Sequence, residues 1–234
     1  MKRVVLVLIV GFLTDCSNTV KQKRSSEFDQ AKIEPTFHVT YHHNKRKGSA
    51  TAVFSIGVFT QLFLDEKSNI KYNGKPMELG EPAFFGGMNY ELTLTNFTPV
   101  NTFVYTDNNG KVHTNKVSLQ KMFFTDSLIY SKDDDYQIFI NRAPEADEWV
   151  YFIISGSNES DAFEIQKRNR DTTGYYSDST QSIWIKKECM EKYLNGSSVE
   201  ATISADKYFD NLLQKPGSRG VFEVRYEDNK TLGL

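Results

Sequence analysis

The sequence predicts an all-β protein built as two tandem β-sandwich units, the second immunoglobulin-like, with one or two short helices. Three observations carry this expectation. Apolar and polar residues alternate in many short stretches, which is the period of a half-buried strand. Aromatic residues make up 13% of the chain, with 17 Phe and 12 Tyr against 6 Pro, and such side chains favour a broad pleated surface. Turn residues interrupt the alternation at short intervals, the rhythm of sandwiches and barrels.

The chain opens "MKRVVLVLIVGFLTDC". Lys2 and Arg3 precede an uncharged run from Val4 to Leu13, about 15 Å long as a helix, roughly half a bilayer core. That length suits the apolar region of a secretory signal and is short for a permanent span. Leu13-Thr14-Asp15-Cys16 resembles the lipobox of bacterial lipoproteins, with Asp15 where a small residue is usual. The resemblance implies a signal peptide over 1–15, acylation of the Cys16 thiol by palmitate-like chains, and a membrane-anchored place in the cell envelope, periplasmic or surface-exposed. The polar segment that follows, "SNTVKQKRSSEFDQAKIEP", reads as a flexible tether over 16–35. Only Cys16 and Cys189 occur. Lipid on the first leaves Cys189, in "KKECMEKYL", as a small buried hydrophobe.

The first unit is expected over 36–125. "TFHVTYH" (36–42), "ATAVFSIGVF" (50–59), "YELTLTNF" (90–97) and "TFVYTD" (102–107) read as its strands. Asn73-Gly74 and Asn109-Gly110 supply the positive φ angles of tight hairpin turns. A boundary is expected near 124–135, where "FTDSLIYSKDDDY" breaks the alternation and three consecutive aspartates repel one another. The second unit is expected over 132–230. Its strands are "YQIFINR", "EWVYFIIS", "QSIWIKK", "SVEATISA" and "GVFEVRYE", and "KKECMEKYLNG" and "DKYFDNLLQK" are the two stretches able to hold helical turns. Trp149, on an early strand, is expected to be buried, followed by a short helical crossover and two closing strands. That is an immunoglobulin-like layout. The runs "NIKYNGKPM", "NYELTL", "FVYTDNNGK" and "IFINRAPEADEWVYFII" together resemble a loosely defined group of bacterial envelope proteins, and that resemblance lends no settled activity.

A net charge of −2, from 28 Lys and Arg against 30 Asp and Glu, lacks the basic excess of a nucleic-acid binder. The histidines are His38, His42, His43 and His113. On a strand His38 and His42 share a face but lie roughly 13 Å apart, so surface positions without a metal are expected. Asp133, Asp134 and Asp135, with Asp126 upstream, read as a solvated linker; weak calcium ligation is the alternative. No G-x-S-x-G, H-E-x-x-H, paired C-x-x-C or phosphate-cradling loop occurs, and the expected role is non-catalytic, without a cofactor. Binding is the stronger class. Phe84, Phe85, Tyr175 and Tyr176 are the candidate ligand contacts, able to stack on sugar rings or pack on a protein partner, with "RNRDTTGYYSDSTQ" as a recognition loop. Since neighbours on a strand point to opposite faces, at least one of each adjacent pair is expected to pack inward. A purely architectural spacer and a hydrolase with an unrecognised site are the remaining readings.

Overall fold

A computed structural model describes residues 23–57, 60–65, 67–80, 88–132, 135–155, 160–165, 174–178, 180–194, 198–210 and 221–233. Alternation becomes strand throughout. In Glu34–His42, Pro35, Phe37, Val39 and Tyr41 are buried while the residues between them face outward.

In the first half the strands are β1 (Lys23–Arg24), β2 (Glu34–His42), β3 (Lys47–Ile56), β4 (Thr60–Phe63), β5 (Asn69–Tyr72), β6 (Lys75–Pro76), β7 (Glu78–Leu79), β8 (Tyr90–Leu94), β9 (Val100–Thr106) and β10 (Val112–Ser118). In the second half they are β11 (Tyr130–Lys132), β12 (Asp135–Phe139), β13 (Trp149–Ser155), β14 (Ser160–Glu164), β15 (Gly174–Ser177), β16 (Ser182–Lys186), β17 (Ser198–Asp210) and β18 (Val221–Gly233). One helical turn, α1 (Lys187–Met190), crosses from β16 towards β17.

A central sheet runs β1-β4-β3-β2-β18-β17-β13-β14, with β8 beside β3 and β7 beside β8. Two four-stranded sheets, β10-β9-β5-β6 and β11-β12-β16-β15, pack against its apolar face. The first sandwich closes on Phe37, which stacks on Phe103 at 4.4 Å, and on Phe222, which meets the edge of Phe103 at 5.2 Å. The second closes on Phe152, set edge-on to Phe124 at 6.2 Å, with Ile138, Ile183 and Ile185 fully buried. The protein is therefore all-β and sandwich-like. The ladder between β18 and β2 is parallel, from Val221 opposite Thr36 to Glu227 opposite His42. It joins the C-terminal strand to the first half, so one sheet runs through both sandwiches.

Several expectations need correction. The stretch 124–135 does not stand apart from the fold, because Phe124 and Ile129 are buried and the Phe124 amide donates to Asp228 Oδ2 at 3.0 Å. Within the span 16–35 expected as a tether, the described residues from Lys23 belong to the folded body. Ser25 is fully buried and linked to Asp65, Ser68 and Asn108, and Ile33 joins the core. "DKYFDNLLQK" does not begin as a helix: Asp206–Asp210 continue β17, paired residue for residue with β18. Trp149 is 50% exposed, because it points to the face of the central sheet opposite the two four-stranded sheets. His113 is buried, not superficial, and its Nε2 faces Asp107 Oδ2 at 3.2 Å.

The turns follow their residues. Asn73 and Gly74 both have positive φ, 46° and 80°, as a two-residue hairpin requires. At Asn109-Gly110 only Gly110 does, and the Asp107 carboxylate closes a wider loop by accepting from the Asn109 and Lys111 amides at 2.9 Å each.

Candidate functional site: an aromatic row on the second sandwich

The outward face of the sheet β11-β12-β16-β15 carries a row of side chains aligned by strand register. Tyr130 lies opposite Gln137, Gln137 opposite Trp184, and Trp184 opposite Tyr175. The alternation that buries Ile138, Ile183, Ile185 and Tyr176 turns Gln137, Trp184 and Tyr175 outward. Three strand intervals make the row about 14 Å long. The Tyr175 and Trp184 rings lie 6.5 Å apart and within 10° of parallel. Phe139, beside Gln137 on the same face, meets Tyr130 edge-on at 5.6 Å.

Hydrogen bonds orient the row. The Trp184 indole N–H points at Thr180 Oγ1, 3.4 Å away, and the Gln137 amide donates to Ser182 Oγ at 3.0 Å. The Thr180 and Ser182 hydroxyls pair at 2.6 Å. The Tyr130 hydroxyl donates to Asp126 Oδ2 at 3.0 Å, a bond that raises the phenol above its ordinary value and lowers the carboxyl. Asp126 also accepts from the Ser127 and Leu128 amides, so its oxygens are engaged in a local turn.

Of the predicted contacts, Tyr175 lies in the row and Tyr176 does not. Tyr176 is 4% exposed and faces the core, so it is corrected from ligand contact to packing residue. Phe84, Phe85, Cys16, Asp133 and Asp134 lie outside the described residues. Sequence reasoning missed Trp184, Gln137 and Tyr130. Their signal was faint: each sits on a different strand, and only register joins them. Cys189 is partly buried against the core, and among the described residues no group of three His, Cys, Asp or Glu is placed to hold a metal ion.

The uncovered face of the central sheet is polar. His38 Nδ1 meets Glu223 at 3.1 Å and His42 Nδ1 meets Glu227 at 2.8 Å. Arg225 lies between the two glutamates and reaches Glu223 at 2.9 Å and Asp206 at 3.0 Å. His43 turns the other way, stacked on Phe123 and bonded to the Tyr226 hydroxyl. These polar groups bond one another across the sheet face, whereas the row on the second sandwich is mainly aromatic and turned outward. No family model and no curated protein matches the chain.

Proposed function

We propose that the chain is a non-catalytic binding protein, lipid-tethered at Cys16 in a bacterial envelope, whose aromatic row takes an oligosaccharide. The observation that carries the ligand is the near-parallel Tyr175–Trp184 pair in one cross-strand row with Gln137 and Tyr130. Flat aromatic faces attract the apolar C–H faces of sugar rings, and the intervening amide and hydroxyls bond sugar hydroxyls. The tether is supported by Leu13-Thr14-Asp15-Cys16 behind a positive, then apolar, leader.

Two experiments test this reading. A glycan array probed with the purified protein should show saturable binding that Trp184→Ala and Tyr175→Ala each abolish. Silence across envelope glycans would turn the search to a protein partner. Palmitate-analogue labelling in a bacterial host should mark the wild type and spare Cys16→Ala, since the thiol is the acceptor. Asp15→Gly should speed maturation by restoring a small residue before the cysteine. Absence of label from every version would remove the tether.

A further inference from the structure

A second aromatic surface lies away from the row, on the central sheet. Trp149 opens β13 and Tyr208 lies near the end of β17, and they are 50% and 49% exposed. Trp149 stands opposite Asp206, so Tyr208, two residues on, is its diagonal neighbour on the same face. Such pairs have Cβ atoms about 7–8 Å apart, within reach of aromatic rings. The two side chains border a cleft of about 470 Å³ whose other walls include Glu145, Asp147, Glu148 and Glu164. That size falls within the range of small-ligand sites.

The acidic wall is held in place from beneath. The Lys207 ammonium, buried at the sheet end, bonds Glu145 at 2.6 Å and Asp147 at 2.9 Å. Arg142 grips the buried Glu148 carboxylate and also bonds the carbonyl of Ala143 at 2.9 Å. The Glu145 amide donates to Glu148 Oε2 at 2.8 Å, which tightens the loop into the cleft. Glu145 and Asp147 nonetheless keep 39% and 59% of their side chains exposed. The hydrogen bond from Lys207 lowers the Asp147 carboxyl below its ordinary value, so it is ionised at neutral pH. Glu145 and Asp147 share the single Lys207 ammonium, which leaves their end of the cleft with more negative than positive charge. An electron-rich ring face beside excess negative charge is the setting that attracts a cation.

We infer that this cleft binds an organic cation, an alkylammonium or guanidinium group, against the Trp149 and Tyr208 rings and within reach of the Glu145 and Asp147 carboxylates. The chemistry is shared by a small quaternary ammonium and by a lysine or arginine side chain on a peptide. The site is separate from the aromatic row and stands whether or not that row takes a sugar.

The chain contains two tryptophans, one at each surface, and this separates the readouts. Trp184→Phe leaves Trp149 as the only tryptophan. Its emission is followed while choline, N-acetyl-lysine amide and N-acetyl-arginine amide are added against matched sodium chloride. Saturable change is expected with at least one cation, and whichever binds tighter, choline or the amino-acid amides, identifies the source. The neutral isostere 3,3-dimethylbutanol should bind about fivefold more weakly, and Tyr208→Ala or Asp147→Asn should each weaken the cation about two- to fivefold. Both positions are half-exposed, and an unchanged melting temperature confirms that the variants fold. The inference is overturned if Trp149 emission shows no saturable change, if the isostere binds equally, or if a glycan and not a cation moves the Trp149 signal.

Discussion

Arg225 on β18 donates from Nε to Asp206 Oδ2 on β17 at 3.1 Å, and its Nη2, which donates to Glu223, lies 3.0 Å from the same Asp206 oxygen. Ser204 bonds the other oxygen at 2.7 Å. Burial pushes the Asp206 carboxyl above its ordinary value, against the pull of Ser204 and Arg225. An acid raised by folding contributes stability that is full below the unfolded carboxylate range and is lost as pH rises through the raised folded value. Arg225→Gln removes the opposing charge and raises Asp206 further. Because Arg225 is partly exposed, the expected cost is about 1–2 kcal/mol near neutral pH and less near about pH 4. Urea unfolding at both pH values checks this, and the cost should shrink in an Asp206→Asn background. An equal cost in every case would mean that the two residues are not coupled.

Asp107 has the opposite sign. Burial pushes its carboxyl up, but the His113 hydrogen bond and the Lys111 and Asn109 amides outweigh that and hold it below the ordinary value. Its contribution is present above the unfolded carboxylate range and is lost as pH falls through the depressed folded value. Asp107→Ala leaves buried donors without their acceptor and should cost about 1–3 kcal/mol at neutral pH. Asp107→Asn, which keeps one acceptor oxygen, should cost less. Stability measured down to acid pH should show the wild-type advantage over Asp107→Ala shrinking.

The segment from Lys23 to Pro35 belongs to the folded body. A chain beginning at Lys23 should melt like the full chain. A chain beginning at Thr36 loses the buried Ile33 and Ser25 and the β1–β4 ladder. Burial of Ile33 alone is worth about 1.5–3 kcal/mol, so the melting temperature should fall by at least about 3 °C. Equal melting temperatures would return the segment to the tether.

Tyr175 and Tyr176 should part company on mutation. Tyr176→Ala empties a core position and should cost about 3–5 kcal/mol. Tyr175→Ala removes one ring of an outward pair, worth about 0.5–1.5 kcal/mol, while abolishing glycan binding. Thermal melts alongside the glycan array separate the two effects. A Tyr175→Ala protein that still binds would remove this ring from the site.

The sequence by itself determined the fold class and most of the strands. Period-two alternation in 36–42 sorts the side chains into two sets, because a strand offers only two faces. Asn73-Gly74 states a hairpin because both residues tolerate positive φ. The pattern also indicated that one of Tyr175 and Tyr176 must be buried. Which one faces the core was decided by the register of β15 against β16, where Tyr176 falls beside Ile183. Pairing between residues distant in sequence was likewise decided only in three dimensions. Nothing local in "GVFEVRYE" says that it pairs with "TFHVTYH" across 185 positions, as Glu223 does with His38. Trp149 was misread for the same reason: an aromatic residue on a strand is buried only if a second layer covers its face, and alternation does not tell which face is covered. The row of Tyr130, Gln137, Trp184 and Tyr175 comes from four strands scattered along the chain, and it exists only because their ladders bring one residue of each into line.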